Sequence, residues 1–144
     1  MIEVLIIDDH PVMRELLHQI LETYPDLCVV GDAATGEEGL IQASRFQPAV
    51  ALIDVHLPTM SGIEVAKLMK RQNPSTAIIG LTAGEPNEMD MTMIAAGACA
   101  VINKADLLCV LYRSITEAVK QVKVPGVLKR VTVSRIGNPT VDGR

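Results

Sequence analysis

Four short apolar runs each end on a polar side chain, and this repeated pattern restricts the chain to few folds. Val4-Leu5-Ile6-Ile7 leads to Asp8-Asp9, and Ala49-Val50-Ala51-Leu52-Ile53 leads to Asp54. Ala77-Ile78-Ile79-Gly80-Leu81 leads to Thr82, and Ala100-Val101-Ile102 runs through Asn103 to Lys104. Continuous apolar runs of this length, bounded by turn signals and separated by helical patterns, read as parallel strands buried on both faces. In an open α/β sheet, ligands bind outside the carboxyl ends of the strands. The pattern therefore gathers three carboxylates, a hydroxyl and an ammonium at one sheet edge.

The segments between the runs carry helix signals. Pro11 suits a first helical turn, and Val12, Leu16, Ile20 and Leu21 supply a stripe to about Thr23. Leu27 to Val30 reads as a second strand, left at Gly31-Asp32. Thr35 with Glu38 predicts a capping box for a helix from Gly36 to about Arg45. Ser61 with Glu64 repeats that signal for a third helix, with Ile63, Val65, Ala66, Leu68 and Met69 as its apolar contacts. A fourth helix is expected near Asn87 to Ala96, stopped by Gly97. Asp106 caps or begins a fifth, with Leu108, Leu111, Ile115, Ala118, Val119 and Val122 at helical spacing.

Five βα units with short connections imply right-handed crossovers and helices on both faces of the sheet. The expected fold is α/β, a flavodoxin-like (βα)5 three-layer sandwich on a five-stranded parallel sheet of order 2-1-3-4-5. In that order Asp54 neighbours Asp8 and Asp9 at the switch point. The domain is expected to span residues 1–122, followed by a basic tail or linker remnant over 123–144, where Val131 and Val133 give only a weak strand hint.

Composition narrows the function. The chain has 144 residues and a hydrophobic fraction of 49%, enough for one domain with a full core. Its net charge of -4 is uneven. Residues 1–122 carry 8 basic and 16 acidic side chains, and residues 123–144 carry 5 and 1. The acidic body opposes direct DNA binding. With no Trp and a single Phe, stacking platforms for single-stranded nucleic acid are missing. No run reaches the ~18 apolar residues of a membrane span, and the start at Met1 carries no leader pattern, so a cytoplasmic location is expected. Cys28, Cys99 and Cys109 lack metal or disulfide spacing and are read as buried thiols. His10 and His18 are read as surface residues of a helix.

Two carboxylates ~4 Å apart repel by ~4 kcal/mol at an effective dielectric near 20, and a divalent cation reverses that sign. An oxygen-only ligand set selects a hard ion, and Mg²⁺ suits one or two carboxylates with retained waters. Asp54 is the candidate nucleophile, because a carboxylate can attack a phosphoryl group and form an aspartyl-phosphate. Lys104 can neutralise phosphoryl charge, and the Thr82 hydroxyl can donate to a phosphoryl oxygen.

These motifs resemble the receiver domain of two-component response regulators, over about residues 1–122. The resemblance rests on Leu5-Ile6-Ile7-Asp8-Asp9-His10-Pro11, on Leu52-Ile53-Asp54-Val55-His56-Leu57-Pro58 with Ser61-Gly62, on Leu81-Thr82-Ala83, and on Gly97-Ala98 leading to Lys104. The Asp-Asp-His-Pro start and the segment from Val29 to Gly39 are most similar to receivers of LuxR/FixJ-type transcription regulators. The resemblance implies that Asp54 accepts phosphate from a sensor histidine kinase or phosphotransfer protein. It implies that Asp9, Asp54 and the backbone carbonyl of His56 ligate Mg²⁺, with Asp8 acting through water, and that Thr82 and Lys104 bind the phosphoryl group. The downstream effector and a homodimer are left open. Two positions depart from the family: Val101 stands where an aromatic switch residue is usual, and Ala105 follows the lysine where Pro is frequent. The alternatives are an aspartate-nucleophile phosphohydrolase, or a degenerate receiver that serves only as an interaction module.

Overall fold

In a strand, successive side chains point to opposite faces, so a continuous apolar run feeds two cores at once. The computed structural model, which describes residues 1–123 and 132–134, shows this division. Strand β1 (Ile2–Ile7) sends Val4 and Ile6 to one cluster, and Leu5 and Ile7 to the other. Strand β3 (Val50–Asp54) divides Val50 and Leu52 from Ala51 and Ile53 in the same way. Strand β4 (Ala77–Thr82) divides Ala77, Ile79 and Leu81 from Ile78. The first cluster is closed by helices α1 (Pro11–Glu22) and α5 (Leu107–Lys123). The second is closed by α2 (Gly36–Phe46), α3 (Gly62–Gln72) and α4 (Glu88–Ala95).

With β2 (Leu27–Ala33), β5 (Ala100–Asn103) and a short β6 (Thr132–Ser134), the sheet reads β2-β1-β3-β4-β5-β6. Every pairing is parallel. The expected order 2-1-3-4-5 is present. The addition is β6, which lies beyond residue 122 and extends the sheet at its β5 edge. Strand β2 also runs past the expected exit at Gly31. A bulge shifts its register between Val4 and Leu5, so that Leu5 pairs with Gly31 and Ile7 with Ala33.

Several local expectations change. On α1 the buried face is Leu17, Ile20 and Leu21, while Val12 and Leu16 are exposed. The helix carries two overlapping apolar stripes, and the strand it packs on selects one of them. Helix α5 likewise buries Leu107 and leaves Leu108 outside. The capping box forms in full at Ser61–Glu64, but at α2 only the Thr35 hydroxyl accepts, from Glu38 N at 3.2 Å. Asn87 and Asp90 make a further box that begins α4. Asp106 sits in a 3-10 turn (Lys104–Asp106) that Asn103 caps. Of the three thiols, all free, only Cys99 is buried; Cys28 is half-buried and Cys109 exposed.

The loop from β3 to α3 is held by a close backbone approach. Gly62 N donates to Val55 O at 3.0 Å. A Cβ on Gly62 would lie 2.2 Å from Asp54 O and 2.8 Å from Val55 Cα, both backbone atoms that cannot move aside alone. Gly62→Ala is therefore expected to destabilise the protein by about 2–3 kcal/mol through overpacking. Urea denaturation followed by circular dichroism measures this as a lower midpoint.

Candidate functional site

Parallel register is what assembles the site. Strand β1 pairs with β3, placing Ile7 against Ile53, so the residues that follow, Asp8 and Asp54, leave the sheet side by side. Strand β4 pairs Leu81 with Asp54, and β5 pairs Asn103 with Thr82. Asp8, Asp54 and Thr82 are all buried, at 0%, 2% and 3% exposure, which makes their partners decisive.

Lys104 reaches across the sheet to join two of the acids. Its Nζ lies 2.8 Å from Asp8 Oδ2 and 3.3 Å from Asp54 Oδ2. Asp54 Oδ1 accepts the backbone N–H of His56 at 2.9 Å. Asp8 Oδ1 accepts the backbone N–H of His10 at 2.9 Å, and Arg14 Nη1 donates to the Asp8 carbonyl at 2.7 Å. Arg14 carries no sequence signal for this role; only its position one turn into α1 supplies it. Thr82 Oγ1 is buried with no hydrogen-bond partner among the described residues, so its donor is left for another group.

Burial pushes the Asp54 carboxyl above its ordinary range, against the opposing pull of the His56 N–H and Lys104, and the Asp8 charge adds to the rise. Burial alone would lower the Lys104 ammonium, but its hydrogen bond to Asp8 and the charges of Asp54 and Asp8 carry it above its ordinary value.

The residues singled out from sequence divide as follows. Asp8, Asp9 and Asp54 come together, and each offers an oxygen to one group of possible ligand atoms. Lys104 joins two of them directly. The His56 side chain is exposed and contributes through its backbone. His10 is exposed, as expected, and its Nδ1 also faces the acids, 3.1 Å from Asp8 (a hydrogen bond), 3.3 Å from Asp9 and 3.8 Å from Asp54 oxygens. Its place at the strand–helix junction beside Asp9 was the available signal. His18 does lie on α1, where it contacts Asp32 at 2.7 Å. Val101 is fully buried in the second core cluster. Among the described residues no peptide bond is cis, including the one before Ala105.

The donor set fits a hard divalent ion. The oxygens are carboxylates, they crowd together, and Lys104 is shared between two of them. A cation at this edge would relieve the repulsion that Lys104 only partly offsets.

Comparison with known proteins agrees with this geometry. A family model described as "Response regulator receiver domain" matches residues 4–111, and the chain belongs to that family. It is 38% identical over 136 residues to a protein-glutamate methylesterase/protein-glutamine glutaminase of Syntrophus aciditrophicus, covering 90% of this chain and 39% of that protein. It is 34% identical to the response regulator GacA of Pseudomonas protegens, covering 72% and 49%. The chain thus spans less than half the length of these two relatives. The response regulator domain of Thermotoga maritima CheB superposes with a TM-score of 0.77 at 28% identity, covering 83% of this chain and 96% of that one. The chain is a receiver domain of two-component response regulators, a family of phosphoacceptors that bind Mg²⁺ at an acidic pocket and interact with histidine kinases and effector domains. Among the described residues no helix is long and apolar enough to cross a membrane.

The raised Asp54 carboxyl sets a sign for stability. The folded state holds this proton more tightly than the unfolded state, so the contribution of Asp54 to stability falls as pH rises from the ordinary carboxylate value, 3.8, through the raised one. Above both values the ionised side chain is a net destabilising element. In chelator-treated buffer at neutral pH, Asp54→Asn is expected to melt higher than the native chain, by a few degrees (roughly 2–6 °C). The difference should close as pH is lowered to about 3. Melting curves at several pH values measure it; a native chain that melts higher at neutral pH would contradict the assignment.

Proposed function

We propose that Asp54 is the phosphoacceptor of this receiver and takes its phosphoryl group from a histidine of a sensor kinase or phosphotransfer protein. A carboxylate oxygen of Asp54 forms the new P–O bond while the P–N bond to the donor imidazole breaks, and the electron pair returns to the imidazole. The observation that carries this reading is the meeting of Asp8, Asp9 and Asp54 at one edge with Lys104 Nζ 3.3 Å from Asp54 Oδ2.

Asp9, Asp54 and the His56 carbonyl are the proposed ligands of Mg²⁺, with Asp8 acting through water. The ion would neutralise charge on the phosphoryl oxygens, as metal ions do in phosphoryl transfer generally. The chain's own groups do the rest. Lys104 holds a fixed positive charge beside the acceptor and follows the negative charge from carboxylate to phosphoryl oxygen. Thr82, buried and without a hydrogen-bond partner among the described residues, supplies a hydroxyl donor to that oxygen. The backbone N–H of His56 keeps Asp54 Oδ1 engaged, which fixes the carboxylate plane.

Phosphorylation adds negative charge and acceptor oxygens at Asp54. Thr82 lies at the end of β4 beside β5, so its movement toward the phosphoryl group is felt by the α4–β5–α5 side. With Val101 buried in place of an aromatic, that signal runs through backbone and packing rather than a ring rotation. The outcome is a population shift between two packings, driven by the difference in how each meets the phosphate. The chain turns over no substrate in this reading, and it works in the cytoplasm, on the kinase's side of the membrane. The proposed receiver unit is residues 1–122, with β6 of the following segment added at its β5 edge.

Incubation with a small acyl phosphate in Mg²⁺ is expected to leave one acid-labile phosphate per chain, and Asp54→Ala is expected to leave none. Labelling retained in that variant, or steady phosphate release without a labelled chain, contradicts the reading. Mg²⁺ is also expected to raise the melting temperature of the native chain in proportion to the logarithm of its concentration, and Asp9→Asn to remove most of that response.

A further inference from the structure

His10 opens α1 in an unusual way. N-cap positions favour short polar side chains that accept from the first turn, yet the His10 side chain makes no such bond. The imidazole turns instead toward the acidic edge. Its Nδ1 lies 3.1, 3.3 and 3.8 Å from oxygens of Asp8, Asp9 and Asp54. The four ligand atoms offered by these residues all lie within 4.8 Å of one another. Around an octahedral ion with bonds near 2.1 Å, adjacent ligand atoms are about 3.0 Å apart and opposite ones about 4.2 Å. The 3.1 Å separation is a hydrogen bond to Asp8 Oδ1 that an ion would replace; it and the 3.3 Å separation are near the adjacent-ligand spacing, and the 3.8 Å separation from Asp54 lies between adjacent and opposite. Asp9 adds a second sign: its Oδ1 is buried and, among the described residues, has no hydrogen-bond partner.

We propose that His10 Nδ1 is an additional ligand of the divalent cation, making this a mixed nitrogen and oxygen site that prefers borderline transition ions to Mg²⁺. The inference rests on the reading above that this edge is the cation site, and goes beyond it in naming a ligand and a metal class. The physical reason lies in ligand softness. Carboxylate, carbonyl and water oxygens suit Mg²⁺ and Mn²⁺, whereas imidazole suits Zn²⁺, Ni²⁺ and Cu²⁺, and affinity for a shared site rises from Mn²⁺ through Co²⁺ to Ni²⁺. Mg²⁺ keeps its waters and gains little from an imidazole. The ring is reachable, with 64% of the side chain exposed, so an ion can arrive on the solvent side and take His10 as its outermost ligand. His18 is the alternative nitrogen, paired with Asp32 on the flank of α1, and serves as the internal control.

The test is calorimetric titration of the full chain with MgCl₂ and, separately, NiCl₂, for the native protein, His10→Ala and His18→Ala. Native protein is expected to bind Ni²⁺ more tightly than Mg²⁺. His10→Ala should weaken Ni²⁺ by at least about tenfold while changing Mg²⁺ by no more than about threefold. Circular dichroism confirms that the variants are folded, which an exposed substitution site permits. In a second measurement, Ni²⁺ should broaden the NMR signals of the His10 ring before those of His18 and His56. An unchanged ratio of Ni²⁺ to Mg²⁺ affinity in His10→Ala overturns the proposal, as does loss of Ni²⁺ binding through His18→Ala instead, or a His10 ring that Ni²⁺ leaves unaffected. Failure of the native chain to take up phosphate would strike the acceptor reading and leave these affinity ratios standing.

Discussion

The charge balance at the carboxyl edge of the sheet is the constraint on which the rest depends. Asp8 and Asp54 are almost wholly removed from solvent, and each would be costly as an isolated ion. Lys104, arriving from β5, binds both. That pairing explains why the chain tolerates buried carboxylates. One ammonium shared by two acids leaves net negative charge at this edge, with Asp9 beside them.

The scaffold makes this balance possible by being stiff on both sides. The interior strands pack one cluster against α1 and α5 and another against α2, α3 and α4, so no strand end can drift without disturbing two cores. The approach of Gly62 to the Asp54 and Val55 backbone holds the loop after β3 close to Asp54. Thr82 ends β4 and Lys104 directly follows β5, one buried without a hydrogen-bond partner among the described residues, the other bridging the acids. The register thus ties the end of β3 at Asp54 to the ends of β4 and β5.

Legibility in the sequence followed the kind of force involved. Strands β1, β3, β4 and β5 were readable because burial on both faces demands uninterrupted apolar runs, and Ser61 with Glu64 was readable because a cap uses residues three apart. The buried faces of α1 and α5 were misread at Val12, Leu16 and Leu108, since two stripes of similar hydropathy compete and only the facing sheet decides between them. Cys28 and Cys109 looked like core residues because apolar neighbours in sequence are not neighbours in space. His10 is exposed as read, but its approach to Asp54, a residue on another strand, has no sign in the neighbouring sequence.

Sequence alone determined the layered α/β architecture and the membership of Asp8, Asp9, Asp54, Thr82 and Lys104 in one edge. Those follow from local periodicity and from the rule that parallel strands present their ends together. Tertiary structure decided the rest: that Lys104 bridges Asp8 and Asp54, that Arg14 holds the Asp8 carbonyl, that His10 faces the acids, and that β6 extends the sheet beside β5. The physical reason is range. Hydrophobic pattern and capping act over a few neighbouring residues and are written into the chain, whereas an ion pair between side chains tens of residues apart exists only once the sheet has set their separation.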